Sequence, residues 1–247
     1  TEKDLDNIEQ IHNIEKLDYV FNTIKLLKKE LSGKKPLIGF IGSPWTVATY
    51  IIEGNSSKTF ANVRKMLEGD EKLLHGILDM LTNISISYLN KQIEAGIDVA
   101  MIFDTWGSLL NDEQYEKFSL RYINKIKHSI SNQDIPLIYY VRETDKKLEA
   151  LKSLNIDVLG IDSTTEIGVI KKQIGDKFAL QGNLDVNILK KDEKDIIIEI
   201  KKILTSYGSN SGHVFNLGTG ITPDINPDKV KILIDNLADI SSKINVK

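Results

Sequence analysis

The sequence predicts an α/β fold, namely a TIM-type (β/α)8 barrel that is here incomplete, with about six β/α units. Short apolar runs of strand length alternate with longer stretches in which apolar residues recur every three or four positions. The first run, Leu37 to Ile41, is too continuously apolar for a strand with one wet face, and such runs are typical of parallel sheets covered by helices. The sequence contains no G-x-G-x-x-G motif, which favours a barrel over a dinucleotide-binding sheet.

The predicted elements are one helix followed by six strand-then-helix units. The helix carries an apolar stripe from Ile14 onward, and Gly33 suits the position just after its C-terminus. Six apolar runs are predicted as strands, at 36–42, 98–103, 136–141, 158–161, 178–180 and 213–217. A helix is predicted after each of them, and the one after the second strand is expected at about 112–130.

Capping residues mark several helix starts. Asp70 is expected to cap a long helix that ends at Gly96, and Asn226 is expected to cap the last helix, with Pro227 at its first position. The segment 55–57 is expected to cap the helix that precedes Asp70. These signals set the predicted boundaries of the helices.

Residues 1–247 are expected to form a single (β/α) barrel domain without an internal linker. A closed barrel needs eight strands, and the helix at 14–32 precedes the first predicted strand. We therefore expect the chain to be the last three quarters of a barrel, lacking its first two strands. The strands at 36–42 and 213–217 are then expected to have open edges that favour self-association.

Composition excludes several classes of protein. The formal net charge is -3 and the basic residues are spread along the chain, which argues against a nucleic-acid partner. No run approaches about 18 consecutive apolar residues and no signal-peptide pattern is present, so no membrane partner is expected. The chain has no cysteine, which excludes disulfides and Cys-ligated metals and fits a reducing, cytoplasmic location.

The candidate functional residues are polar side chains at the carboxyl ends of the strands, where barrels place their chemistry. They are Ser43, Asp104, Thr105, Arg142, Asp162, Gln181, Asn183, Asp185, Asn216 and Thr219. Each of them, taken singly, is also an ordinary turn or capping residue. Trp45 and Trp106 follow strands too, and pocket lining and core packing are both open for them. None of the four histidines follows a strand, which gives little support to a catalytic triad or a His-ligated metal.

Four segments resemble the uroporphyrinogen decarboxylase family, in this order and at similar intervals: PLIGFIGSPWTVATYIIEG, MIFDTWGSLL, FALQGNLD and VFNLGTGITPDINPDKV. The resemblance covers the chain from about residue 16 onward and implies a (β/α) barrel. It also implies a carboxy-lyase that converts the four acetate side chains of uroporphyrinogen III to methyl groups, giving coproporphyrinogen III in tetrapyrrole (heme and chlorophyll) biosynthesis. No cofactor is implied, because a protonated pyrrole of the substrate accepts the electrons.

The resemblance implies substrate-binding roles for three residues. Tyr50 matches a substrate-binding tyrosine, and Thr105 matches a serine or threonine of the second segment. Thr219 stands where the family has the histidine of N-L-G-H-G, and threonine supplies neither its reach nor its charge.

The family also has an arginine-rich segment and a catalytic aspartate upstream of the segments matched here. We therefore expect residues 1–247 alone to be inactive. The resemblance also implies that the complete protein is a homodimer. No metal site is implied.

Two alternative functions stay open. A non-catalytic tetrapyrrole-binding relative is motivated by Thr219 and by the loop at 142–144, which differs from the family's. A corrinoid-dependent methyltransferase of the wider superfamily shares the barrel, but such enzymes generally bind zinc through Cys and His, and the absence of cysteine argues against this function.

Overall fold

The computed structural model describes Leu5 and residues 14–55, 57–208 and 211–244. In these residues strands and helices alternate along the chain. The strands are β1 (Ile38–Gly42), β2 (Val99–Asp104), β3 (Leu137–Val141), β4 (Val158–Gly160), β5 (Ala179–Leu184) and β6 (His213–Leu217). The helices are α1 (Asp18–Leu31), α2 (Pro44–Glu53), α3 (Ala61–Gly69), α4 (Glu71–Ala95), α5 (Asp112–Tyr115), α6 (Arg121–Ser129), α7 (Thr144–Leu151), α8 (Ile167–Ile174), α9 (Glu193–Tyr207) and α10 (Pro227–Ile244).

The six strands form one sheet in the order β1-β2-β3-β4-β5-β6. The pairs β1–β2, β4–β5 and β5–β6 are parallel; Ile38 lies opposite Val99, for example, and Leu180 lies opposite His213. Parallel neighbours need a crossover between them, and here helical segments provide it. The predicted α/β fold with TIM-type alternation is confirmed.

The chain divides into two compact units. The first comprises Thr1–Tyr139 with Leu154–Ile156, and the second comprises Tyr140–Ser153 with Asp157–Lys247. The first unit therefore holds β1 and β2, and the second holds β4, β5 and β6. The expectation of a single domain stays a prediction, and each unit is described on its own.

Helix α4 is the central helix of the first unit, where it contacts α1, α2, α3, α6 and β1. Asp70 caps it as predicted, because its side chain accepts a hydrogen bond of 3.2 Å from the backbone N–H of Leu73. Gly96 ends it with a left-handed backbone, φ 104°. Leu74 and Leu78 on its inner face are completely buried.

Helix α9 is the central helix of the second unit, where it contacts α8, α10 and β5. Its residues Ile196 and Ile200 are completely buried. The next helix, α10, begins at Pro227 as predicted, and the side chain of Asn226 accepts a 2.9 Å hydrogen bond from the backbone N–H of Asp228. No helix in the described part of the chain is both long and apolar enough to span a bilayer.

The interpretation of the first strand as buried on both faces is wrong for the described residues. Ile38 and Phe40 are 41% and 61% exposed, whereas Gly39 and Ile41 are buried. The buried face lies against α4, since a Cβ on Gly39 would come within 2.6 Å of the Gln92 side chain. A continuous apolar run therefore does not by itself show that both faces of a strand are covered.

Three other details of the prediction need correction. Helix α3 does not begin at 55–57 but after Phe60, because the Ser57 hydroxyl accepts from the N–H groups of Thr59 and Phe60 and closes the preceding turn. The predicted helix 112–130 contains a π-helical turn, Glu116–Leu120, between α5 and α6. The fifth strand continues to Leu184.

Candidate active site

Strand β1 is followed directly by helix α2, and Ser43 caps the start of that helix. Ser43 has an extended backbone and its hydroxyl oxygen accepts a 2.9 Å hydrogen bond from the N–H of Thr46, while Pro44 occupies the first helical position. The Ser43 N–H donates to the Phe103 carbonyl of β2 over 2.8 Å. The Gly-Ser-Pro-Trp sequence therefore places the first turn of α2 directly at the carboxyl ends of β1 and β2.

Asp104, the last residue of β2, is a buried carboxylate surrounded by hydroxyl groups. Its Oδ1 accepts hydrogen bonds from Ser43 Oγ at 2.5 Å and Thr46 Oγ1 at 3.0 Å. Its Oδ2 accepts from Ser119 Oγ and Tyr139 Oη, both at 2.6 Å. Asp104 is 0% exposed, and the four hydroxyl donors replace the water that burial removes from the charge.

The Tyr115 hydroxyl group extends this network. The Tyr139 hydroxyl donates to Asp104, so its oxygen is the acceptor for the Tyr115 hydroxyl at 2.8 Å. Burial, followed by the charge of Asp104, raises the pKa of Tyr115 and of Tyr139 well above the ordinary value of a phenol. Gly107 leaves space for the carboxylate, since a Cβ there would lie 2.5 Å from Oδ2.

Tyr50 lies on α2 with 41% of its surface exposed. Its hydroxyl oxygen accepts a 2.8 Å hydrogen bond from the indole N–H of Trp106. Trp106 is itself fixed by three contacts: its N–H donates to Thr46 Oγ1 at 3.2 Å, its carbonyl accepts from the Trp45 indole at 2.9 Å, and its ring lies 4.8 Å from that of Phe60. The structure thus links Tyr50 to the segment that carries Thr105, which is partly exposed.

The two tryptophans have different roles, which the sequence left open. Trp45 is completely buried and belongs to the core of the first unit. Trp106 is partly exposed and contacts the candidate substrate-binding residue Tyr50.

Thr219 lies in the second unit, after β6, and is partly exposed. The preceding residue, Gly218, is held on both sides of its backbone: its N–H donates to Leu184 O at 2.8 Å, and its carbonyl accepts from Tyr140 Oη at 3.0 Å. A Cβ on Gly218 would lie 2.4 Å from the backbone nitrogen of Ser163. Thr219 therefore extends from a tightly packed turn.

The other strand-end residues of the second unit have structural partners. The Asp162 carboxylate accepts from Glu143 N at 2.9 Å and from Thr164 Oγ1 at 2.8 Å. The Asn183 amide donates to the carbonyls of Asp162 and Thr165 at 2.9 and 2.6 Å. Asn183 and Gln181 lie within β5, not after it, because this strand is longer than predicted.

Asp185 and Asn216 bond to neighbouring backbone groups. Asp185 Oδ1 accepts from Asn187 N at 2.9 Å and caps a short 3-10 segment, while Asn216 Oδ1 accepts from Leu217 N at 2.8 Å. A cleft of about 380 Å³ in the second unit is lined by Asn183 and Asp185, among others.

Among the described residues, none of the histidines His75, His128 and His213 follows a strand. His213 begins β6, and its Nε2–H donates to Gly182 O at 2.8 Å. Its ring stacks on Tyr207, with 4.6 Å between the ring centroids, and burial lowers its pKa. His12 lies outside the described residues. Across the described ranges, no three His, Cys, Asp or Glu side chains come together in a group that could hold a metal ion.

The sequence analysis named Asp104 and Ser43 but missed three other partners of the carboxylate, Thr46, Ser119 and Tyr139, and also Tyr115, which bonds to Tyr139. Ser119 lies in the middle of a predicted helix and Tyr139 within a predicted strand, where neither is expected to be functional. The available signal was a hydroxyl group inside an otherwise apolar strand, because a buried phenol needs a hydrogen-bond partner.

Comparison with known proteins shows the family. Residues 1–239 match the family model "Uroporphyrinogen decarboxylase (URO-D)". Among similar curated proteins, the uroporphyrinogen decarboxylase of Tolumonas auensis is 45% identical over 223 residues, which are 89% of this chain and 63% of that protein. That of Ruthia magnifica is 43% identical over 246 residues, which are 97% of this chain and 71% of that protein.

Solved structures with the same fold are more distant in sequence. A methyltransferase from Methanosarcina mazei matches with a TM-score of 0.77 at 23% identity, covering 89% of this chain and 63% of that one. A B12-independent methionine synthase from Shewanella sp. W3-18-1 matches with a TM-score of 0.66 at 11% identity, and the match covers 91% of this chain and 66% of that one. At such identities these matches show the fold alone.

The chain thus spans 63% and 71% of the lengths of the two curated relatives, and the family model covers nearly all of it. The chain belongs to the uroporphyrinogen decarboxylase family.

Proposed function

We propose that the protein carrying this chain is a cofactor-free carboxy-lyase that converts uroporphyrinogen III to coproporphyrinogen III. Family membership over residues 1–239 supports this reaction, and relatives named for it are 43–45% identical. We further propose that Tyr50, Thr105 and Thr219 contact the substrate, that the complete protein is a homodimer, and that it works in the cytoplasm.

The observation that carries the proposal is the hydrogen bond from the Trp106 indole to the Tyr50 hydroxyl oxygen. Because the indole N–H can only donate, the Tyr50 oxygen is the acceptor in this bond and the phenolic proton is directed elsewhere. An exposed phenol with its proton available suits an acetate carboxylate, which only accepts. The side chain is therefore prepared for an anionic substrate.

The chemistry requires binding and orientation more than reactive side chains. A proton added to a pyrrole carbon gives a cation; the bond between the acetate methylene and its carboxylate breaks, CO₂ leaves, and the bonding electrons enter the ring. A second proton adds to the former methylene carbon to give the methyl group, and the first proton then leaves the ring carbon, which restores the neutral pyrrole. The protein contributes by holding each arm in the reactive orientation and by stabilising charge.

One observation favours a second candidate, a tetrapyrrole-binding relative without catalysis. Thr219 replaces the histidine that the family resemblance implies at this position, and a threonine hydroxyl offers a carboxylate only a neutral hydrogen bond. Binding with reduced turnover would be the result.

An anaerobic assay of the full-length gene product with uroporphyrinogen III tests the proposal. Oxidation of the products and chromatography should show the heptacarboxylate to tetracarboxylate porphyrins accumulating, and Tyr50→Phe should lower the rate about tenfold or more. Tight binding of coproporphyrin without turnover would support the non-catalytic relative. Stoichiometric zinc in the purified protein would support a methyltransferase.

A further inference from the structure

We propose that Asp104 is a positioning residue that fixes the direction of the Tyr50 hydroxyl through Thr46 and Trp106. The consequence for turnover depends on the proposed function, but the geometric claim does not. Asp104 is 0% exposed, so its carboxylate acts through these neighbours and not by touching substrate.

The hydrogen bonds around Asp104 have defined directions. Thr46 Oγ1 donates its proton to Asp104 Oδ1 over 3.0 Å, because a carboxylate oxygen is an acceptor. The lone pairs of Thr46 Oγ1 are then available to the N–H of Trp106, which lies at 3.2 Å. Ser43 works in the same way, donating to Oδ1 and accepting from Thr46 N. The carboxylate thereby sets the direction in which the Ser43 and Thr46 hydroxyl groups donate.

Trp106 is fixed at its backbone and at its ring. Its N–H is held by Thr46, its carbonyl by the Trp45 indole at 2.9 Å, and its ring packs on Phe60. With the backbone and ring fixed, the indole N–H is directed at Tyr50 Oη at 2.8 Å. Three successive hydrogen bonds therefore connect the buried carboxylate to the exposed phenol, and each one has a defined donor and acceptor.

A positioning role and a purely structural role of Asp104 have different consequences for the bond between Trp106 and Tyr50. A purely structural Asp104 would lower stability when altered, but would leave the Trp106–Tyr50 bond unchanged in the molecules that fold. A positioning Asp104 predicts that breaking the link at Thr46 disturbs the indole even where the fold persists. Thr46 is the residue to change, because the other three hydroxyl partners of Asp104 then stay in place.

The chain offers a matched control for Thr46→Val. Thr49 is a buried threonine in the same helix, but its hydroxyl donates to the Thr46 carbonyl at 2.7 Å and does not contact Asp104. In the full-length protein, Thr46→Val should lower kcat/KM about tenfold or more, since small errors of position cost that much. Thr49→Val should stay within about twofold, and Thr46→Ser, which keeps the hydroxyl, should restore most of the activity. Equal losses in the two valine variants would overturn the proposal.

A double-mutant cycle asks whether the effect passes through Tyr50. In a Tyr50→Phe background the hydroxyl to be positioned is absent, so Thr46→Val should cause little further loss. Losses that multiply would show that the two residues act independently, and would refute the positioning role.

The indole N–H resonance of Trp106 gives a readout that needs no turnover. In a ¹⁵N–¹H spectrum, assigned by comparison with Trp106→Phe, this signal should shift in Tyr50→Phe, Thr46→Val and Asp104→Asn, and stay in place in Thr49→Val. An unmoved signal in Thr46→Val and Asp104→Asn would overturn the proposal even in an active enzyme. A shifted signal in a protein without decarboxylase activity would support the positioning network while refuting the proposed function.

Discussion

The phenol of Tyr140 donates a 3.0 Å hydrogen bond to the carbonyl oxygen of Gly218, the residue before Thr219. On its other side, the Gly218 N–H donates to the Leu184 carbonyl at 2.8 Å. Both polar groups of this peptide segment are therefore fixed within the second unit, and the position of the Thr219 side chain depends on how closely Gly218 packs.

Gly218 and Gly220 form a matched pair for testing that packing. A Cβ on Gly218 would lie 2.4 Å from Ser163 N and 2.9 Å from the Asp162 carbonyl carbon, both backbone atoms, whereas a Cβ on Gly220 has no atom within 4 Å. Gly218→Ala should lower the free energy of unfolding by about 1–3 kcal/mol, as overpacked sites do. Gly220→Ala should stay within about 0.5 kcal/mol of wild type.

Urea unfolding of the two alanine variants measures this difference. A small and equal effect of both substitutions would show that the turn relaxes easily, and that Thr219 is not held by its neighbour. Substrate affinity should follow the same order, with a loss only in Gly218→Ala.

Gln92 acts as a side-chain partner for the backbone of an end strand. Its Oε1 accepts from Phe40 N at 3.2 Å and its Nε2 donates to Phe40 O at 3.1 Å. The Ser43 N–H donates to β2 through Phe103 O, and successive residues of a strand alternate in direction, so Phe40 directs its groups away from β2. The Gln92 amide thus covers part of the edge that the sequence led us to expect open.

Gln92→Met keeps the length of the side chain and removes both hydrogen bonds. Because Gln92 is 3% exposed, we expect a loss of about 1–3 kcal/mol in the free energy of unfolding. Light scattering should also show more self-association, since the Phe40 backbone becomes available to another strand. Gln173→Met, on the exposed surface of α8, controls for the added methionine, and self-association of both variants alike would contradict the role of the edge.

The sequence was sufficient to predict the elements whose boundaries depend on local chemistry. Strand β6 has the same bounds in prediction and structure, and Asp70 and Asn226 cap the helices assigned to them. Side-chain oxygens that accept from backbone N–H groups two or three residues later need only the local chain. The expected cap at 55–57 was wrong. Ser57 also accepts from backbone N–H groups two and three residues later, but these belong to the turn before the helix and not to the helix itself.

The arrangement around Asp104 could not be predicted because it depends on contacts between distant segments. Ser43, Ser119 and Tyr139 lie 61, 15 and 35 positions from Asp104 in the sequence and meet only in the folded unit. Nothing in the local pattern around Ser119 distinguishes it from a solvent-facing serine. The sequence was sufficient to name Tyr50 as a candidate substrate-binding residue, but it could not predict the hydrogen bond from Trp106 that orients the Tyr50 hydroxyl.

His213 should make stability depend on pH. Its Nε2–H donates to the Gly182 carbonyl, its ring stacks on Tyr207, beside which Lys171 lies, and burial lowers its pKa. Below the ordinary histidine pKa of about 6.5, His213 of the unfolded chain binds a proton. In the folded state the imidazole stays neutral to a lower pH. Stability is therefore full above about pH 6.5 and falls as pH decreases towards the folded pKa, by at most about 1.4 kcal/mol per pH unit.

His213→Gln isolates this contribution, because the amide still donates a hydrogen bond and does not titrate. Between about pH 7.5 and about pH 5.5, wild type should lose more stability than the variant in chemical denaturation. The pKa of His75 is also lowered, by burial and then by Arg121 and Lys117, but that residue is present in both proteins and its effect cancels. Identical pH profiles would show that His213 is protonated equally in the folded and unfolded states.

Thr219→His tests whether the replaced family histidine limits this protein. An imidazolium can form a charge-assisted hydrogen bond with a substrate carboxylate, worth about 1.5–3 kcal/mol, so kcat/KM of the full-length protein should rise about tenfold. The gain should be larger below about pH 6.5, where the new imidazole is protonated.

Thr219→Gln separates reach from charge, because it extends a neutral donor to a similar distance and should give only part of the gain, without pH dependence. If wild type and Thr219→His both bind coproporphyrin but neither turns over uroporphyrinogen III, the missing charge is not what prevents catalysis, and the non-catalytic relative becomes the better description. If the histidine lowers the rate, the turn fixed by Gly218 and Tyr140 is already adapted to threonine, and recognition of the acetate arm at this position depends on the shorter hydroxyl.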